Sequence, residues 1–195
     1  MIARFGTALV LLVASALPSA AAPFHHPFGE WREYNRDWLA ACPDAIDEDA
    51  ADYYGISCFA STGSKELNTA GLPAYKLTVF RNRLNGDLDI AVTIAGEDGD
   101  ADPTRPLVLT FGGEAPMRFD FAADLETRYN TVNQYYVLDP ARKEALLARM
   151  KERTALTMTV PVTGAATTKQ VWLSMRGLSA SIDFMTTYAR KVAQY

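Results

Sequence analysis

The chain has few of the residues that usually carry catalysis. Its 195 residues include two cysteines and two histidines, and it contains no Gly-x-Ser-x-Gly motif, no phosphate-binding glycine loop and no paired metal-ligand motif. His25 and His26 stand near the N-terminus, before any predicted regular element, where a general base would lack rigid support. We therefore predict no enzymatic activity, no catalytic residue, no metal site and no cofactor.

The chain also lacks a basic stripe and a long apolar run. Lys and Arg number 19 against 23 Asp and Glu, which gives a net charge of −4. Affinity for nucleic acid comes mainly from basic contacts to phosphate, so this balance argues against a nucleic-acid partner. No segment reaches the roughly 20 apolar residues that a membrane-spanning helix needs, so we expect a protein that does not span a membrane.

The first residues have the three parts of a secretory signal peptide. Arg4 supplies the positive charge, residues 5–17 form the apolar part, and small residues precede a cleavage site after Ala21. An apolar run of about 13 residues is too short for an uncleaved membrane anchor, which is the alternative. The sequence thus predicts a signal peptide over residues 1–21, a single β-rich domain over residues 22–195, and a periplasmic or secreted location.

The two cysteines, Cys42 and Cys58, predict a structural disulfide. In an oxidising compartment a lone cysteine pair is far more typical of a disulfide than of a nucleophile or metal site. Closing a loop of about 15 residues restricts the unfolded chain by roughly 3 kcal/mol in the entropy model. Acidic residues within this loop favour a solvated acidic face, with a calcium site as the alternative. They are Asp44, Asp47, Glu48, Asp49 and Asp52.

From Ala74 onward, apolar and polar residues alternate as in half-buried antiparallel strands. Asn85-Gly86 favours a type I′ turn in a first hairpin, and Gly112-Gly113 begins the turn of a second. A third hairpin follows near the C-terminus. The alternating apolar positions are Tyr75, Leu77 and Val79, then Leu88, Ile90, Val92 and Ile94; Leu107, Leu109 and Phe111, then Met117, Phe119 and Phe121; and Leu156, Met158, Val160 and Val162, then Val171, Leu173 and Met175.

Two segments have helical spacing instead. Asp139 followed by Pro140 is a good N-cap and first-turn pair, which predicts a helix over about 139–151. A second helix is predicted over about 178–193, packed on the sheets by one apolar stripe. The alternative is a membrane-active amphipathic helix, but the cationic face has too few charges for an interfacial helix, so core packing is favoured. The stripe consists of Leu178, Ile182, Met185, Ala189 and Val192. The fold class is therefore mainly β, an antiparallel β-sandwich-like domain with two packing helices.

Short motifs resemble the invasion-associated locus B family of exported bacterial proteins. Trp38 and Cys42 resemble its opening Trp-x-x-x-Cys, and Cys58 its second cysteine. The segment 171–175 with Gly177 resembles its terminal strand and glycine, and residues 138–150 resemble its helix before the last hairpin. The family commonly carries a second cysteine pair, which this chain lacks. The resemblance implies an envelope or secreted β-rich protein with an envelope or host protein as partner, and no catalytic residues to carry over.

Aromatic residues concentrate in the N-terminal region, where core packing explains most of them. Tyr53 and Tyr54 are the candidate binding surface, because their loop is otherwise polar. The leading hypothesis is a non-catalytic envelope interaction protein. A carrier of small apolar ligands is the first alternative and requires an enclosed pocket of several hundred Å³. A carboxylate-dependent hydrolase is the second, and as a glycosidase it requires two carboxylates about 5 to 10 Å apart in a cleft.

Overall fold

A computed structural model describes residues 22–49, 54–96, 99–128 and 131–192. The predicted signal peptide lies outside the described residues. The elements, in chain order, are β1 (Phe24–His26), β2 (Glu30–Asn35), β3 (Trp38–Pro43), β4 (Ser57–Gly63), β5 (Tyr75–Asn82), β6 (Leu88–Ile94), β7 (Leu107–Phe111), β8 (Met117–Phe119), β9 (Leu125–Thr127), β10 (Gln134–Val137), α1 (Pro140–Glu152), β11 (Ala155–Pro161), β12 (Thr168–Ser174) and α2 (Leu178–Val192).

The strands form two antiparallel sheets that pack against each other, which confirms the predicted fold class. The large sheet has the spatial order β1-β2-β3-β4-β5-β6-β10-β9, and the small sheet has the order β12-β11-β7-β8. Alternation along the strands turns one face of each sheet inward. The inner faces bury residues such as Leu77 and Ile90 on the large sheet and Leu109 and Leu173 on the small sheet, all within one apolar core.

Both helices lie where the sequence predicts them. Asp139 caps α1, because its side-chain oxygen Oδ1 accepts a hydrogen bond of 2.7 Å from the backbone amide of Arg142. Helix α2 packs on β2, β3 and β4. Its predicted stripe is buried at Leu178, Ile182, Met185 and Ala189, whereas the side chain of Val192 lies outside the described part of the chain. The stripe therefore serves core packing.

The three predicted hairpins are present as β5-β6, β7-β8 and β11-β12. The predicted type I′ turn of the first is wrong. That turn needs a positive φ at both central residues, but Gly86 has a φ of 82° while the φ of Asn85 is not positive. The loop is wider because the Asn82 side-chain oxygen accepts hydrogen bonds from the amides of Leu84 and Asn85.

The N-terminal segment is more regular than its sequence predicts. His25 and His26 do not precede the first element; they lie within β1, which pairs with β2. Strands β3 and β4 are also neighbours, and the Cys42–Cys58 disulfide joins them with Cα atoms 4.2 Å apart. The disulfide thus links adjacent strands of the large sheet and closes the acidic loop between them.

Candidate binding surface

Four aromatic side chains form a continuous row on the outer face at the β1 edge of the large sheet. We call Phe24, His26, Phe28 and Tyr34 the aromatic row. Phe24 and His26 share a face because side chains alternate along β1. Tyr34 lies on the neighbouring β2, and Phe28 lies in the turn between the two strands. Phe24, Phe28 and Tyr34 are 39%, 81% and 49% exposed.

The rings of the row contact one another in sequence. The centroids of Phe28 and His26 are 4.5 Å apart, those of His26 and Phe24 are 6.4 Å apart, and those of Phe24 and Tyr34 are 6.1 Å apart. The guanidinium of Arg32 lies 5.5 Å from the centroid of the Phe28 ring. The row is therefore one connected apolar surface with the Arg32–Glu30 ion pair beside it.

The row continues into an open cleft of about 450 Å³, to which Tyr34 belongs. The cleft lies where the β2-β3 turn, the end of β4 and the start of β5 meet the segment before β5. Leu39 and Leu72 provide apolar wall, Lys76 comes from β5, and the turn contributes Arg36 and Asp37. We refer to this recess as the cleft, defined by Tyr34, Arg36, Asp37, Leu39, Leu72 and Lys76.

Close packing of the segment before β5 shapes the cleft. A Cβ atom on Gly63 would come within 2.4 Å of the Pro73 Cβ, so only glycine allows Pro73 to lie this close to β4. On the other side, Arg36 has a φ of 57° in the two-residue turn between β2 and β3. This left-handed conformation is uncommon for a residue other than glycine, asparagine or aspartate.

Among the charged side chains of the cleft, Asp37 has a hydrogen-bond partner, whereas the two cations have no ion-pair partner among the described residues. Asp37 accepts a hydrogen bond of 2.6 Å from the hydroxyl of Ser174. Lys76 and Arg36 form no ion pair among the described residues. Burial lowers the pKa of Lys76 below its ordinary value. The cleft therefore holds two cations that form no ion pair with a described residue, together with the one carboxylate of Asp37.

The predicted binding residues of the disulfide loop have a different setting. Tyr53 lies outside the described residues. Tyr54 is half-buried, and its ring packs edge-on against Phe59 and Phe80, with centroids 4.9 and 5.1 Å away. Its described contacts are those of a packed side chain, and a role for this pair in binding stays a prediction.

No group of three metal-binding side chains occurs among the residues that the structure describes. In the acidic loop, the Asp44 carboxylate accepts a hydrogen bond of 2.6 Å from the Nε2 of His25, which links β1 to the loop. Arg83 lies nearby, and its Nη1 donates to the backbone oxygens of Pro43 and Ala45 at 2.8 and 3.0 Å. Burial lowers the pKa of Arg83, while Asp44 opposes that shift. These contacts anchor the loop to the sheet.

The two alternatives derived from the sequence find little support in this geometry. Buried side chains such as Trp38, Phe111 and Met158 fill the space between the sheets, where a carrier pocket was expected. Three recesses of about 450, 390 and 320 Å³ are open to solvent. Within the described lining of the cleft, Asp37 has no second carboxylate beside it for acid-base hydrolysis.

The sequence interpretation missed the aromatic row. Phe24 and His26 are two residues apart, as neighbours on one face of a strand are, but the sequence analysis predicts no strand over this segment. The pairing with β2 that brings Tyr34 to Phe24 is a tertiary feature. The spacing of Phe24 and His26 by two residues is the one local signal of this row, because it is typical of one face of a strand.

No protein-family model matches the sequence, and no curated protein matches it. Among solved structures, the chain is similar to the crystal structure of invasion associated protein B from Bartonella henselae, with a TM-score of 0.53 and 14% sequence identity. The similarity covers 82% of this chain and 98% of the other. At this identity the likeness shows a shared fold, which supports the resemblance derived from the sequence at that level.

Proposed function

We propose that the chain is a non-catalytic, exported interaction protein of the cell envelope, which binds a partner protein through the aromatic row and the cleft. The observation that carries this proposal is the connected set of exposed rings that opens into the cleft. Contiguous exposed apolar surface is uncommon on monomeric proteins unless it serves an interaction. Aromatic and arginine side chains also dominate the binding energy of many interfaces.

Two further observations support an exported protein. The N-terminal residues have the composition of a signal peptide over 1–21. The Cys42–Cys58 disulfide is typical of proteins that fold in an oxidising compartment. No helix in the described ranges has the length and apolar character needed to cross a bilayer. The similar solved structure is called invasion associated, which makes an envelope or host protein the partner that we propose.

The test is a comparison of variants in affinity capture from a cell-envelope extract. The exported, oxidised protein is immobilised as wild type and with Phe28→Ala and Tyr34→Ala together. Because a hot-spot ring at an interface carries about 2 kcal/mol or more, we expect the double variant to bind the specific partner at least roughly thirtyfold more weakly. Captured proteins are quantified by mass spectrometry.

Val132→Ala is the matched control, because Val132 is 84% exposed but is not part of the aromatic row. This variant should capture the same amount of partner as wild type. Equal capture by the double variant would remove the aromatic row from the interface. Lipid that co-purifies with every variant, without any protein, would contradict the proposal and favour a carrier.

A further inference from the structure

The cleft combines apolar walls with two cations that form no ion pair with any described acidic side chain. Arg36 and Lys76 lack ion-pair partners within the described ranges, and Asp37, which accepts a hydrogen bond from Ser174, is the one carboxylate in the described lining, so two positive charges face one negative charge. The whole chain, by contrast, has a net charge of −4. The cleft is therefore a locally positive recess on an acidic protein, and an anionic group fits it by charge.

The position of Lys76 also favours an anionic ligand in the cleft. Lys76 lies on the outer face of β5, directly opposite Gly63 on β4 and Thr93 on β6. Burial also lowers the pKa of Lys76, which is the cost of holding a cation here without an anion. A bound carboxylate would offset that cost.

The aromatic row indicates the shape of the ligand. Two of its ring-to-ring steps are 6.4 and 6.1 Å, and alternate side chains of an extended peptide are about 6.6 Å apart. An extended segment that runs along the row can thus place alternate side chains against successive rings. A compact small anion would occupy the cleft without using the row.

We infer that the partner contributes an extended peptide segment in which acidic and apolar side chains both face this surface. A carboxylate of the segment pairs with Lys76 and Arg36, an apolar side chain enters the cleft between Leu39 and Leu72, and the next apolar side chains pack on the aromatic row. This inference rests on the proposed function, because it names the kind of partner that the same surface binds.

The test is a selection from a phage-displayed library of random dodecapeptides on the exported, oxidised protein. Selected peptides are synthesised with fluorescein, and their binding is measured by fluorescence anisotropy. We expect a consensus that combines acidic with apolar residues, and an affinity that falls as salt concentration rises. Arg36→Gln with Lys76→Gln should weaken binding by about tenfold or more, because both charges that face the carboxylate are lost.

Two comparison variants separate this inference from the proposed function. Lys151→Gln removes a charge from an exposed position on α1 and should leave binding unchanged. Phe28→Ala with Tyr34→Ala should also weaken binding. Thermal unfolding of each variant checks that it remains folded.

The outcomes are distinct. Peptides without acidic residues, bound equally well after loss of Arg36 and Lys76 but weakly after loss of the two rings, would overturn the acidic-peptide inference and leave the proposed surface intact. Peptides that are insensitive to both sets of substitutions, or a selection without enrichment, would overturn both.

Discussion

Lys76 is the residue at which the proposed role in binding can be separated from a role in folding. Lysine is rarely buried without a partner, because removing an ammonium group from water is costly. Lys76 is half-buried on a sheet face, and burial lowers its pKa below the ordinary 10.5. A purely structural position would be better filled by an apolar residue of similar length.

We therefore expect Lys76→Met to unfold at a higher urea concentration than wild type at neutral pH. The advantage should shrink as pH rises from the lowered pKa of Lys76 toward 10.5, because the folded wild type loses its proton first and becomes more stable there. Urea unfolding across this range measures the effect, with Lys151→Met as the control. A variant that is less stable than wild type at neutral pH would show that Lys76 stabilises the fold.

Gly177 illustrates a residue whose role the sequence does not reveal. A Cβ atom at this position would lie 1.7 Å from the backbone oxygen of Asn35, and the φ of Gly177 is 108°. The sequence places this glycine before a helix, which is correct. The contact with Asn35 depends on how the turn before α2 meets the end of β2, and no local pattern encodes that approach.

At the scale of elements, the disulfide fixes the pairing of β3 with β4. Replacing Cys42 and Cys58 together by alanine should lower the free energy of unfolding by about 3 kcal/mol, because the unfolded chain regains the freedom of the closed loop. Guanidinium unfolding of the exported protein measures this loss. Reduced wild-type protein should show the same loss.

A double alanine variant as stable as the oxidised wild type would contradict this account of the linkage. Free thiols at Cys42 and Cys58, found by mass spectrometry in the exported protein, would also contradict it. Either result would show that the disulfide does not stabilise the pairing of β3 with β4.

The strands of the three hairpins and both helices could be predicted from local patterns, whereas β9 and β10 were not predicted. In β7 and β11 the inward apolar residues alternate with outward ones, so the period-two pattern is clear. Strand β3 is buried at four of six positions and gives no alternation. Strand β2 turns a polar residue inward, since Asn35 donates to Ser181 on α2 at 3.3 Å. These two strands therefore have no recognisable periodic signal.

For the whole molecule, the fold was more predictable than the binding surface. Alternation and capping are local signals, and they lead to a β-sandwich-like fold that the similar solved structure shares. The surface joins β1, β2 and the start of β5, which are distant in the chain. The sequence favours Tyr53 and Tyr54 because their loop is polar, whereas the exposed rings of Phe24, Phe28 and Tyr34 come together only when β1 pairs with β2.

The most direct test of the proposed surface is site-specific photo-crosslinking in intact cells. The photoreactive amino acid p-benzoyl-phenylalanine replaces Tyr34 in one strain and Trp172 in another, since Trp172 is also exposed, at 57%, but lies on the small sheet. After irradiation, adducts are detected by immunoblotting and identified by mass spectrometry. We predict a specific protein adduct from position 34 and none from position 172. An adduct from position 172 alone, or none from position 34, would contradict the assignment of the aromatic row and the cleft as the binding surface.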